Sequence, residues 1–159
     1  MSKRAEQLAT RLEQGVRELR ALAEGLTDAE WMTPVKDGRT IGVVVDHVAN
    51  VYPIEIQLAQ YIAAGKAVEG VTWDDVHALN AQHARDKART TKAETLAFLD
   101  KNSRDAAAAV RKFTDAELDT AAAFSLAYGA PMTAQFVLED HAVRHAFHHL
   151  HRIKLTLNR

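Results

Sequence analysis

The chain has 159 residues, a formal net charge of −1, 47% hydrophobic and 26% charged residues, and no cysteine. This size and balance predict one soluble globular domain over 1–159, and they argue against a dedicated nucleic-acid binder, which would carry a strong basic excess. Without cysteine there are no disulfides or thiolate metal sites, and no stretch approaches the roughly 18–20 apolar residues of a membrane span.

In chain order, the pattern is helical almost throughout. Leu8, Leu12, Val16, Leu19 and Leu22 recur at three- and four-residue steps and predict a helix over 3–24, with Gly25 as its C-cap. Thr27-Asp28-Ala29-Glu30 has the form of a capping box and opens a short turn carrying Trp31, followed by a loop over 34–39. Thr40 caps a second long helix over 41–64, stopped by Gly65. Pro53 lies inside it, removes one hydrogen bond and crowds the Ala49 carbonyl, which predicts a kink.

Residues 65–72 form a connection, and Thr72-Trp73-Asp74-Asp75 is another N-cap. The capping box Thr91-Lys92-Ala93-Glu94 divides the next stretch into helices over 73–89 and 92–112. Thr114-Asp115-Ala116-Glu117 opens a further short turn, and 124–131 reads as a loop. The last helix begins near Met132 or Thr133 and runs to Leu157. No segment shows the β-branched alternation of a strand. Four long amphipathic helices predict an all-α four-helix bundle.

Five of the eight histidines fall within the eleven residues 141–151. His141, His145 and His149 recur every four residues and form a ridge on a helix, with about 6 Å of rise between neighbours. Neutral imidazole is the commonest protein ligand for transition metals, and two on adjacent turns can share an ion. His141 and His149 are about 12 Å apart along the axis, too far for one ion. The pair is therefore His141 with His145 or His145 with His149, and His145 belongs to both. His148 and His151 lie off the ridge as surface residues.

His47, among Val44, Val45, Val48 and Val51, supplies a third nitrogen from the 41–64 helix. Alone, it reads as a hydrogen-bonded structural histidine. It lies about 10 Å from the start of its helix and His149 about 12 Å from the end of the last, so the two meet at one level if those helices run antiparallel. A plain up-down-up-down order would make them parallel, so the site requires a non-sequential bundle with its second and fourth helices antiparallel.

The stretch from Asp37 to Ala49, Asp-Gly-Arg-Thr-Ile-Gly-Val-Val-Val-Asp-His-Val-Ala, and the stretch from His145 to Ile153, His-Ala-Phe-His-His-Leu-His-Arg-Ile, resemble the two histidine-bearing motifs of the DinB/YfiT-like family of helical-bundle metalloenzymes. Where such proteins often carry Trp, this chain has Arg39. The resemblance implies a divalent ion held by His47, His145 and His149, with water completing the shell. Three imidazoles and an open position describe a catalytic site suited to Zn²⁺ or Ni²⁺ rather than Mg²⁺ or Ca²⁺.

Similar proteins include thiol-dependent S-transferases and a mycothiol-dependent isomerase. The implied reaction is addition of a low-molecular-weight thiol to a small electrophile, with the thiol supplied as a cofactor. The alternatives are a metal-dependent hydrolase, a stress-associated dimer that binds metal or ligand without catalysis, and histidines with a purely structural role. Asp46, Glu139, Asp140 and Arg144 stand near the motifs as candidates to orient ligands or bind a substrate carboxylate.

The expected setting is cytoplasmic, with a small-molecule substrate and neither a nucleic-acid nor a membrane partner. Tyr52, Ile56, Tyr61 and Ile62 do not fit one inward stripe, and with the resemblance they suggest a homodimer.

Overall fold

A computed structural model describes residues 2–159. Four long helices form the bundle: α1 (Lys3–Glu24), α3 (Ile41–Ala63), α5 (Lys92–Val110) and α8 (Arg144–Thr156). Further elements join them: α2 (Asp28–Trp31), α4 (Trp73–Asp86), α6 (Asp115–Asp119), and α7 (Ala134–Val137), which leads into α8 through a π-helical segment, Leu138–Val143. No helix among the described residues is long and apolar enough to cross a membrane.

Threonine sets the start of most helices. Thr27, Thr72, Thr91 and Thr114 each accept a backbone N–H through the side chain, while Glu30, Asp75, Glu94 and Glu117 reach back to the capping residue's own N–H. These reciprocal pairs satisfy donors that the first turn leaves free. Thr40 caps α3 through the Val43 N–H, and the Gly25 N–H closes α1 on the Ala21 carbonyl.

Around the bundle, α1 and α3 each pack on both α5 and α8, so α1 lies diagonally across from α3 and α5 across from α8. Leu8, Leu12 and Leu19 of α1, Val44, Val48 and Ile62 of α3, and Leu138 and Ile153 of the C-terminal helix fill the core. The C-terminal helix runs against α3 in the opposite sense: Arg152 reaches Asp37, His149 lies on His47, and His145 reaches both His47 and Glu55.

The α3 helix is continuous through Pro53. The proline has no N–H to give the Ala49 carbonyl, and the buried Asn102 amide of α5 donates to that oxygen at 2.8 Å. Gly42 lets the Trp31 ring lie on the first turn of α3, where an added Cβ would meet the indole at 2.4 Å. The Trp31 Nε1–H donates to the Thr90 carbonyl at 3.1 Å and ties the loop after α4 to that corner.

Three expectations change. The 121–133 region is a short antiparallel hairpin, β1 (Ala121–Ala123) with β2 (Pro131–Thr133). An alanine triplet carries no strand signal; its pairing comes from β2 and from Val68, which bonds the Ala123 carbonyl and the Ser125 N–H. The last helix is not uniform, because the π-helical segment separates α7 from α8. The apolar side chains that suggested a dimer also turn inward: Tyr52, Ile56 and Ile62 are buried, leaving only Tyr61 of the four exposed. That basis for a homodimer is gone.

Candidate metal centre

His47 on α3 and His145 and His149 on α8 come together, each offering a ring nitrogen within 4.8 Å of the others. The Nε2 atoms of His47 and His145 are 3.1 Å apart. Two nitrogens about 2.0–2.1 Å from one ion at a tetrahedral angle stand about 3.3–3.4 Å apart, so the separation suits a shared ligand. The ring centroids are 5.0 Å apart for His47 and His145, 5.2 Å for His47 and His149, and 4.8 Å for His145 and His149.

Glu55, two turns beyond His47 on α3, explains the orientation of His145. Its Oε1 lies 2.5 Å from His145 Nδ1. A carboxylate oxygen accepts, so Nδ1 carries the hydrogen and Nε2 presents its lone pair toward His47. Such a carboxylate–histidine pair fixes the tautomer and raises ligand basicity.

Burial pushes the His47 pKa down to about 2, and the neighbouring His145, Arg39 and His83 lower it further. His149 is driven far below the usual histidine range by the same causes, burial first and then His145 and His47. Both rings are therefore neutral at pH 7 with lone pairs free for a cation. The Nδ1 atoms of His47 and His149 are buried without a partner, so neither ring is explained as an internally satisfied structural histidine. The donor set fits a transition ion that prefers nitrogen.

His141 stays outside the trio. It lies in the π-helical segment, stands edge-on to Phe124 with centroids 5.6 Å apart, and is depressed in pKa chiefly by burial. The wider turn breaks the four-residue ridge between His141 and His145. His148 is exposed at the rim beside His149, and His151 faces away from the cleft. Of the four charged candidates, Glu139 pairs with Arg11, while Asp140 and Arg144 pair with each other on the rim.

Asp46 turns away from the trio to a buried partner that the sequence reading passed over. His83 of α4 donates from Nε2 to Asp46 Oδ1 at 2.8 Å. The hydroxyls of Thr90 and Thr95 each lie 3.3 Å from Oδ2. Burial raises the Asp46 pKa, but the His83 hydrogen bond and the nearby Lys87 charge outweigh it and hold the carboxyl below its usual range. This network docks α4 over the start of α3. Glu55 was also overlooked, although a lone carboxylate between Ile54 and Ile56 on an apolar helix was a usable signal.

The trio lines a cleft of about 400 Å³ together with the charged Arg39, Arg144 and Arg152 and the apolar Trp73, Leu79 and Leu126. A larger open groove of about 670 Å³ runs alongside between the start of α3 and α4, contains none of the three histidines, and shares Arg39 and Asn80 with the cleft.

The model of the DinB superfamily matches residues 11–153. No curated protein matches the sequence. Among solved structures, the chain is similar to YfiT from Bacillus subtilis, described as a probable metal-dependent hydrolase with an unusual four-helix bundle topology. The TM-score is 0.76 at 22% identity, over 100% of this chain and 89% of that one. It is also similar to the colibactin self-resistance protein ClbS in complex with a dsDNA, with a TM-score of 0.72 at 18% identity, over 96% and 94% of the two chains. The second likeness corrects the exclusion of nucleic acid drawn from net charge. A protein of this fold is bound to DNA, and phosphate contacts depend on a local cationic face, which a whole-chain sum does not report.

Proposed function

The chain belongs to the DinB superfamily, and from that premise we propose that it is a divalent-transition-metal enzyme whose ion, Zn²⁺ or Ni²⁺, is held by His47, His145 and His149. The observation that carries this reading is the convergence of three ring nitrogens from two helices, one of them oriented by the buried Glu55, on the wall of an open cleft. When bound, such an ion acts as a Lewis acid and makes water or a small thiol nucleophilic near neutral pH.

The chain's own residues do the rest. Glu55 keeps the proton on His145 Nδ1, and burial keeps His47 and His149 neutral. Arg39, Arg144 and Arg152 favour a substrate that carries or develops negative charge. The reaction favoured here is hydrolysis of a small molecule. Thiol addition to a small electrophile is the second reading, supported by the apolar wall of Trp73, Leu79 and Leu126, which offers space to a carbon-rich thiol beside its acceptor.

Metal analysis of untagged protein should find about one transition ion per chain. Turnover of a panel of small esters, amides and electrophiles should vanish on chelation and return with Zn²⁺ or Ni²⁺. Dependence on added thiol assigns the second reading, and thiol-independent turnover the first. A fully metallated protein that turns over nothing in the panel would replace both with a binding role.

A further inference from the structure

Apart from His47, His149 and Glu55, Arg39 is the cleft residue that carries a buried polar atom without a partner. Its Nε and Nη2 grip Asp37 at 3.2 and 2.9 Å, while Nη1 is buried with no partner. A buried guanidinium donor without an acceptor costs about 1–3 kcal/mol or more, which leaves Nη1 a donor available to an oxygen from outside the chain. Asp37 also accepts from Arg152 Nη2 at 2.8 Å. One carboxylate thus positions two guanidinium groups and leaves one positive charge in excess. Hydrogen bonds from both arginines outweigh burial and hold Asp37 ionised, well below the usual carboxylate range. Arg39 stands where the histidine-lined cleft meets the α3–α4 groove, and its charge is felt at His47 and His149.

We infer that Arg39, held by Asp37, is an anion subsite that binds a carboxylate of the substrate through its unpartnered Nη1 and leaves the rest of the molecule in the cleft lined by the three histidines. This rests on the metal-enzyme reading and narrows its substrate class to small carboxylic acids. A planar fork suits a carboxylate better than a point charge does.

Malonate, with malonamide as its neutral counterpart, tests the subsite by calorimetry and backbone amide shifts in metal-free and zinc-loaded protein. Malonate should bind the metal-free protein with shifts centred on Arg39 and Thr40, and malonamide should not. Arg39→Gln should weaken malonate at least about tenfold. Arg39→Lys, which keeps charge near Asp37 but loses the fork, should fall between, and Arg20→Gln, which removes a guanidinium paired with Asp100 and Glu24 outside the cleft, should stay within about threefold of wild type. Zinc stoichiometry in both Arg39 variants should equal wild type, which shows that the site is still folded. Wild-type affinity in Arg39→Gln, equal binding of malonamide, or no malonate binding to wild type would each overturn the proposal. Wild type that takes up no zinc would instead defeat the metal reading, and the metal-free titration would still judge Arg39.

Discussion

Glu55 and the three histidines form the smallest unit whose chemistry can be tested. Replacing His47, His145 or His149 with Ala should lower metal affinity by orders of magnitude, since two imidazoles make a poor site. His141→Ala, His148→Ala and His151→Ala should change it little. Glu55→Gln should cost about 10–100-fold, because the tautomer of His145 is then no longer enforced; metal-competition titration reads all of these. Acid lability follows from burial of His47 and His149. Their folded pKa values lie below the unfolded value near 6.5, so the unfolded chain takes up protons first as pH falls. Stability is therefore greatest above about pH 6.5 and declines by up to about 1.4 kcal/mol per pH unit for each ring. Denaturation midpoints of chelated protein should fall between pH 7 and 5, above the ordinary carboxylate range; equal midpoints would show that the rings are not held neutral.

Helix starts were legible in the sequence because a capping box is a local device: Thr27, Thr72, Thr91 and Thr114 act within four residues of themselves. The compensation for Pro53 was not legible, since the donor to Ala49 comes from α5, 53 positions away. Asn102→Ala should destabilise the fold by about 1–3 kcal/mol by orphaning that carbonyl. In a Pro53→Ala background, where the backbone can supply the N–H, the same change should cost less. A double-mutant cycle by urea denaturation measures the difference, and strict additivity would refute the coupling. Gly42→Ala would drive a methyl into the Trp31 indole and should cost about 1–3 kcal/mol, visible as a lower melting temperature. The π-helical segment had no usable local signature. Its 138–143 stretch reads as ordinary helix, and the register change that sets His141 apart arises only where the segment packs against α1 and α3.

At the scale of the whole chain, the proposed centre joins α3 to α8, helices that meet only through the fold. Metal removal should therefore loosen the bundle as well as abolish chemistry. Ligand present at about 1,000 times its Kd adds about 4 kcal/mol, which corresponds to roughly 8–16 °C in a chain of this length. Calorimetry before and after chelation should show a drop of that order, and an unchanged transition after a bound ion has been stripped would mean that the centre does not bridge the helices.

The sequence by itself determined the helical class, nearly every helix start, and the three histidines to watch, because periodicity, capping and residue chemistry are local or carried by short motifs. Spacing places His145 in either candidate pair, and between His141 and His149 the motif resemblance points to His149. Only the tertiary structure brought Glu55 against His145, His83 against Asp46, and Arg152 against Asp37. Those contacts span 37 to 115 positions, and packing decides them: a buried polar group takes whatever partner the fold places within reach, and no local pattern encodes which one that will be.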